Sequence, residues 1–310
     1  MNAITEKLNR SWQLFKSSVV VIRTHPKLLV FPIVTGLLTL AIALFFLAPV
    51  VLVLLAPHWV HNTPWQTLAE RFGFFRFQHG GPANAQFQPL TTLLLAGLYL
   101  LNMFLATFSS VAFNSEIMEA LAGGGVSIRH GIDAACTRWK SILLWSLLAG
   151  TVGLFIRALE QRFSFLGRIV AGFIGLAWSV AAIFAIPILV RDTSMANPFE
   201  VLSKSAKTMK ATWGEMLAGY VGMQGTNLLF LWGSILLWVI SGALAVLTHN
   251  AWILLAVGVP WLLSLIAYGY LSSIASRVYL CALYMYAADG VVPGPYDASM
   301  MNMAWKLKKH

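Results

Sequence analysis

Six long apolar runs constrain this chain more than any other feature of its sequence. A helix needs about 20 apolar residues to cross the hydrocarbon core of a bilayer, and the runs approach or exceed that length. They cover residues 28–56, 90–113, 141–156, 169–190, 216–248 and 251–276. With 58% hydrophobic and only 10% charged residues, a soluble domain could not cover so much apolar surface. The sequence predicts an all-α polytopic membrane protein, with residues 1–310 as a single integral membrane domain.

Two of the six predicted spans depart from the ideal length. The third has 16 residues between Lys140 and Arg157, whose long side chains could reach the interface and extend it. The fifth has 33 residues, which is about 50 Å of helix, so it must tilt, kink or project from the membrane. A re-entrant hairpin made of the third and fourth segments is an alternative to two full crossings.

The distribution of Lys and Arg predicts the orientation, because cytoplasmic loops carry an excess of these residues. One side of the predicted spans collects 16 of them and the other side 5. This split places both termini in the cytoplasm of a bacterial cell and makes residues 57–89 a periplasmic excursion of an inner (plasma) membrane protein. Three arginines in "RALEQRFSFLGR", between the third and fourth spans, disagree with it.

The stretch "NPFEVLSKSAKTMKATW", before the fifth span, predicts a helix lying on the membrane surface. Asn197 is its expected N-cap, Pro198 its first helical residue and Glu200 the capping-box partner. Apolar residues, including Phe199 and Met209, fall on one face and lysines on another, which is typical of an interfacial helix with aromatics toward the acyl chains. Gly214 is then expected to let the chain turn into the membrane.

The same pattern precedes the first span in "LNRSWQLFKSSVVVIRTHPK" and the third in "SIRHGIDAACTRWK". We therefore expect three cytoplasmic amphipathic helices, as a threefold architectural repeat. The alternative is that any loop entering a membrane tends to be basic and aromatic. The basic residues expected to contact anionic lipid headgroups are Lys204, Lys207, Lys210, Arg138, Lys140, Arg10 and Lys16.

Several stretches together resemble a known family. They are "FNSEIMEALAGGGVSIRHGIDAACTRWKSILLW", "GRIVAGFIGLAWSVAAIFAIPILV", "SKSAKTMKATWGE" and "YAADGVVPGPYD". The chain resembles an uncharacterised prokaryotic family of six-span integral membrane proteins, a domain of unknown function, over about residues 113–297 and more weakly near the N-terminus. The resemblance implies six spans, and it brings no catalytic residues.

No set of residues in the sequence predicts a catalytic centre. All eleven acids fall at span ends or in connections, so the predicted spans hold no carboxylate for ion coupling. Glu116, Glu119 and His130 could bind a metal, but their spacing matches no metal motif, and we expect them in a solvated loop. Cys136 and Cys281 predict neither a disulfide nor a metal site. We therefore expect no catalytic residue, no metal and no cofactor.

Neutral polar and small residues in the spans allow two interpretations. Asn102, Gln224, Thr226 and Asn227 form either interhelical hydrogen bonds or the polar lining of a pore or lipid site. Gly214, Ala218 and Gly222 recur every four residues, which favours close helix packing within the chain or between copies. Pro49, Pro187 and Pro260 are expected to kink their spans.

These features favour a non-enzymatic inner-membrane protein that interacts with lipid or acts as an assembly scaffold. Its expected partners are membrane lipids, through anionic headgroups on the cytoplasmic face, with a homo-oligomer as a further option and no nucleic acid. The alternative function is a channel or carrier for lipid or a small solute, lined by Asn102, Gln224 and Asn227.

Overall fold

The computed structural model describes residues 2–55, 89–162, 165–193, 197–250 and 252–296. Side-chain surroundings are described for residues 13–42, 44, 96–162, 167–193, 197–210, 231–250, 252 and 254–296. These parts of the chain contain nine α-helices and a 3₁₀ turn, without a strand, so the all-α prediction is confirmed. The helices are α1 (Asn2–Thr24), α2 (Val30–Leu55), α3 (Pro89–Leu121), α4 (Ile128–Thr137), α5 (Trp139–Arg162), α6 (Phe165–Ala181), α7 (Ala185–Arg191), α8 (Pro198–Leu247) and α9 (Trp252–Asp289). Apart from Pro89, where α3 begins, the predicted periplasmic excursion at 57–89 lies outside the described residues.

Four helical segments are long and apolar enough to cross a membrane, and a bent pair of helices adds a fifth if the pair is one span. The four are Ala96–Leu121, Trp139–Arg162, Gly167–Arg191 and Leu254–Asp289, and the bent pair is Gln13–Thr24 with Pro26–Ile42. Leu231–Leu247 is also apolar but shorter. These segments overlap each of the six predicted spans and are compatible with a multi-pass membrane protein, while the count of six crossings stays a prediction.

The chain bends by 101° between α1 and α2. His25, which precedes Pro26, has a non-helical backbone (φ −126°, ψ 72°), since proline disfavours the helical region in the residue before it. The 3₁₀ turn Pro26–Leu29 then leads into α2, and the hydroxyl of Tyr270 on α9 donates to the carbonyl of Leu29 there. The predicted helix before the first span is therefore present, and it lies nearly at right angles to α2.

Helix α8 corrects one expectation. Its start agrees with the sequence, since the N–H of Phe199 donates to Oδ1 of the N-cap Asn197 at 3.0 Å. The predicted turn at Gly214 is wrong, because α8 continues through that position as one helix of 50 residues, about 75 Å long at 1.5 Å per residue. A glycine costs only about 1 kcal/mol inside a helix, which the surrounding helical hydrogen bonds readily offset.

Buried and exposed apolar side chains separate along the helices. One part, the packed end, comprises the described residues within 14–31, 107–150, 184–210 and 272–296 and holds nearly all of the core. The other, the exposed apolar end, comprises the described residues within 33–44, 96–106, 151–181 and 231–271. Here large side chains such as Phe173 (67%) and Leu263 (63%) are exposed. A monomeric soluble protein rarely exposes contiguous apolar area on this scale.

The predicted surface helices place part of their apolar faces against protein rather than lipid. Phe15 on α1 and Met209 on α8 are buried in the core, together with Val21. Phe199 remains 64% exposed and Trp139 49% exposed. The aromatic residues of these helices are therefore divided between core packing and an outward surface.

Candidate functional site

A cavity of about 650 Å³ lies where the packed end meets the exposed apolar end. Its wall is built by α3, α8, α9 and the junction between α6 and α7. The polar side chains in that wall are Asn114, Tyr268, Ser272, Ser273, Ser276 and Arg277. Small-molecule sites commonly have volumes of about 300–1,000 Å³ and combine apolar walls with a few polar groups, so this cavity is the candidate site.

One face of α9 supplies much of the polar wall. Ser276 lies four residues after Ser272 and three after Ser273, so it shares a face of the helix with both, and Arg277 follows directly. The hydroxyl of Ser276 donates to the carbonyl of Ser272 at 2.9 Å, which leaves its oxygen able to accept a further hydrogen bond. This face can therefore present hydroxyl groups without breaking the helix.

Arg277 is the cation of the cavity wall. Its Nη1 donates to Oγ of Ser110 on α3 at 3.4 Å, and the guanidinium carbon lies 5.9 Å from the ring centroid of Phe113. Among the residues with described side chains no carboxylate pairs with Arg277, whereas Arg191 forms an ion pair with Asp289 at 2.6 Å. A guanidinium carries five N–H donors, so Arg277 retains capacity to bind an anion.

Asn114 is held in a fixed orientation behind the cavity. Its Nδ2 donates to the carbonyl of Ser110 one turn earlier at 2.7 Å, and its Oδ1 accepts from Sγ of the buried Cys281 at 2.9 Å. Both cysteines are free, as the sequence predicted. The hydrogen bond ties α3 to α9 and sets the back of the cavity.

A break between α6 and α7 forms the apolar side of the cavity. The helix stops at Ala181 and restarts at Ala185, and Ile183, Ile186 and Pro187 line the wall. Pro187 has no N–H to donate to the preceding turn, which favours an interruption here. The N–H of Phe184, freed by the break, donates to the buried hydroxyl of Ser205 on α8 at 3.1 Å. The kink predicted at Pro187 is therefore a break in the helix just before that residue. At Pro260, in contrast, α9 continues as one helix.

A second polar cluster lies at the packed end. The side chain of Glu116 on α3 is fully buried, and its carboxylate accepts from the N–H of Ser127 at 2.6 Å and from Nδ1 of His130 on α4 at 2.7 Å. The hydrogen bond and the charge of Glu116 raise the pKa of His130. The expected solvated loop is therefore wrong for Glu116, whereas Glu119 is exposed.

This cluster does not have the composition of a metal site. Within the described part of the chain, no group of three or more His, Cys, Asp and Glu side chains could hold a metal ion. Glu116 and His130 instead join α3 to α4. The ion pair is half-exposed on its histidine side, where 58% of the side chain is accessible.

The part of the chain that contains the candidate site matches a protein family. A model for a family of unknown function, DUF6159, matches residues 90–294, which include every residue of the cavity wall. The chain belongs to this family. Comparisons with curated proteins and with solved structures gave no match. The family resemblance expected from the sequence is therefore confirmed for about two thirds of the chain of this DUF6159 member.

The basic residues predicted to contact headgroups have different surroundings in this DUF6159 member. Nζ of Lys204 forms an ion pair with Asp192 at 2.9 Å. Nη1 of Arg138 donates to its own helix at Ala134. Lys140 lies 5.8 Å from the ring centroid of Trp139. The remaining exposed members of the set are Lys16, Lys207 and Lys210, and the side chain of Arg10 lies outside the described residues.

The predicted polar lining can be compared with the cavity only at Asn102, and the two do not coincide there. Nδ2 of Asn102 donates to the carbonyl of Leu98 in its own helix at 3.2 Å, and Asn102 does not contribute to the wall. The other predicted lining and packing residues occur in α8, and their side chains lie outside the described part. They are Gln224, Thr226, Asn227, Gly214, Ala218 and Gly222.

Sequence reasoning missed Arg277 because it ended the sixth predicted span at residue 276. Arg277 was then counted only as a cytoplasmic charge. A signal was present, since "SSIASR" places three hydroxyl groups and a cation within two turns of one helix. The sequence also predicted that the last helix continues through "SRVYLCALYMYAAD", as α9 does to Asp289. What it could not show is that none of the described carboxylates pairs with Arg277.

Proposed function

We propose that this chain is a non-enzymatic multi-pass protein of the bacterial inner membrane that binds lipid, with six crossings and both termini in the cytoplasm. The observation that carries the proposal is the division of charge between the two ends. Among described side chains, the packed end holds eleven Lys and Arg residues and the far side of the exposed apolar end holds three. The eleven are Lys16, Arg23, Lys27, Arg129, Arg138, Lys140, Arg191, Lys204, Lys207, Lys210 and Arg277.

The apolar surface supports membrane insertion of the exposed apolar end. The three basic residues beyond it, Arg157, Arg162 and Arg168, are all exposed and lie near the α5–α6 connection. An apolar belt between a strongly basic end and a weakly basic end is the pattern of the positive-inside rule. The packed end would then lie at and below the cytoplasmic surface.

Exposed aromatic and basic side chains support lipid contact at the packed end. Phe199 and Trp139 are outward-facing, and Lys140, Lys207 and Lys210 are exposed near them in the sequence. A basic residue near an anionic membrane surface contributes about 1 kcal/mol of attraction. Lys204 is expected to contribute less, because Asp192 already neutralises it.

The test is the composition of lipid that remains with the protein after extraction in polymer-bounded membrane discs. Lys207→Gln with Lys210→Gln should lower the co-purified ratio of phosphatidylglycerol to phosphatidylethanolamine. The matched control is Arg157→Gln with Arg162→Gln, which removes the same charge from the opposite side. An equal ratio in wild type and the lysine variant would refute lipid binding through this face.

A carrier for lipid or a small solute is the second candidate, because the cavity places several polar side chains beside the apolar belt. Asn102 does not support this function, because its side chain donates a hydrogen bond within its own helix. Transport of a fluorescent phospholipid between leaflets of reconstituted liposomes would test it. In a carrier, Asn227→Leu should abolish transport, whereas no transport by wild type would exclude the carrier.

A further inference from the structure

We propose that the cavity beside Arg277 binds one anionic phospholipid, with the phosphate at Arg277 and Ser273 and an acyl chain along Leu231 and Leu265. The proposal rests on the lipid-binding function above and gives it a specific site. It starts from the charge of the cavity. No acidic residue contributes to the wall, and Arg277 has no carboxylate partner among the described side chains.

Arg277 is exposed and lies beside largely apolar side chains, so its guanidinium is accessible to a ligand that enters the cavity. Ser110 accepts only one long hydrogen bond from the guanidinium, at 3.4 Å. A phosphate would provide several acceptor oxygens, and guanidinium groups bind phosphate through paired, charge-assisted hydrogen bonds. The exposed hydroxyl of Ser273, one turn before Arg277 on α9, can donate to the same group.

The apolar wall distinguishes a lipid from a free anion. A phosphate ion needs no hydrocarbon contacts, yet Leu231, Leu265 and Ile183 form much of the cavity. Leu231 is 49% exposed, so the cavity is continuous with the apolar outer surface of α8. An acyl chain lying there would cover apolar area that otherwise remains exposed.

The position of Arg277 along α9 also fits a phospholipid. Before Arg277, the outward side chains of α9 are exposed and apolar, as at Leu262 and Ile266. The buried run begins just before Arg277, at Ile274, and continues through Tyr279 and Leu283. Arg277 thus marks the level at which the apolar surface ends. Phospholipid phosphates lie at that boundary of a bilayer, and long basic side chains near span ends reach toward it.

Native mass spectrometry of the full chain in detergent tests the site with defined probes. Dioctanoyl phosphatidylglycerol should bind one per chain, more tightly than dioctanoyl phosphatidylcholine. Arg277→Gln should raise its Kd about tenfold or more, the range of a charge-assisted hydrogen bond, and Arg277→Lys should retain part of the affinity. The matched control Arg129→Gln removes another exposed cation from the packed end outside the cavity and should leave the Kd unchanged.

A cavity-filling variant separates lipid from phosphate. A Cβ at Gly269, which lines the cavity, meets no atom within 4 Å, so this position accepts a side chain, and Gly269→Leu adds apolar volume to the cavity. It should abolish binding of the lipid probe. Inorganic phosphate at millimolar concentration should compete only weakly in wild type, and equal competition would mean a free-anion site and overturn the lipid assignment.

Two further results for the arginine variants would also test the proposed site. An unchanged Kd in Arg277→Gln, or an equal loss in Arg129→Gln, would overturn the site. Those results would leave the lipid-disc test at Lys207 and Lys210 unaffected, because it measures bulk lipid composition rather than one stoichiometric lipid. Thermal melts of each variant identify a loss caused by unfolding, and Arg277→Lys provides the comparison if Arg277→Gln is unstable.

Discussion

Nδ1 of His130 on α4 lies 2.7 Å from Oε1 of Glu116 on α3, and the Glu116 side chain is completely buried while most of the imidazole is exposed. A buried carboxylate needs hydrogen bonds and a positive neighbour, and the N–H of Ser127 supplies another of its bonds. This pair connects the two helices at the packed end and makes their association sensitive to proton concentration.

The first prediction follows from the raised pKa of His130. Its causes are, in order, the hydrogen bond to Glu116 and the charge of Glu116, with smaller contributions from Glu119 and Asp133, opposed by desolvation. Because the folded state holds this proton more tightly than the unfolded state, the stabilisation is fully present below about pH 6.5 and is lost as the pH rises through the raised pKa.

Thermal melts from pH 5.5 to 8.5 measure this effect. The stability of wild type should fall with rising pH above about 6.5, and His130→Gln should reduce that slope while still donating to Glu116. His25→Gln is the control, since His25 has no carboxylate partner among the described side chains. Identical slopes in wild type and His130→Gln would show that the pair does not contribute to the pH dependence.

The second prediction concerns the contact between α3 and α4. A Cβ added at Gly131 would lie 2.8 Å from the carbonyl oxygen of Ala112 and 2.8 Å from Cγ of Glu116. The backbone oxygen cannot move away easily, so Gly131→Ala should destabilise the protein by about 1–3 kcal/mol. Gly125→Ala is the matched control, because a Cβ there meets nothing within 4 Å. A melting temperature equal in both variants would argue against this packing.

The sequence predicted the helices well because their signals are local. Apolar runs of sufficient length mark the spans, and the N-cap at Asn197 was identified from the Asn-Pro pair and is confirmed by its hydrogen bond to Phe199. The sequence prediction was wrong where the surrounding structure overrides a local preference. Gly214 favours a turn by itself, yet α8 continues through it.

The candidate site was not predictable to the same degree. Burial of Glu116 depends on α4 returning to α3, which brings Ser127 and His130 to a carboxylate eleven and fourteen residues away. Likewise, the proposed role of Arg277 depends on the absence of a carboxylate partner among the described side chains of the other helices. Such relationships are set by packing between distant segments, and residue spacing along one helix does not contain them.

The third prediction tests the start of α8. Asn197→Ala removes the acceptor of the hydrogen bond from the N–H of Phe199 and should cost about 1 kcal/mol, the usual value for losing an N-cap. Ser203→Ala, at an exposed position inside the same helix, is the control and should change stability by no more than about 0.5 kcal/mol. Chemical denaturation in detergent gives both values. If the two variants behave alike, the cap has no role in stability.

The last prediction tests the orientation with the protein's own cysteines. Cys136 is exposed on α4 at the packed end, whereas Cys281 is fully buried. A membrane-impermeant maleimide should therefore leave intact spheroplasts unlabelled and should modify Cys136 alone after the membrane is opened. Gln161→Cys in a Cys136→Ser background places a thiol at the exposed end of α5, and that variant should react in intact spheroplasts. Labelling of Cys136 before opening would place the packed end outside the cytoplasm and reverse the proposed topology, and with it the leaflet from which the Arg277 cavity could take its lipid.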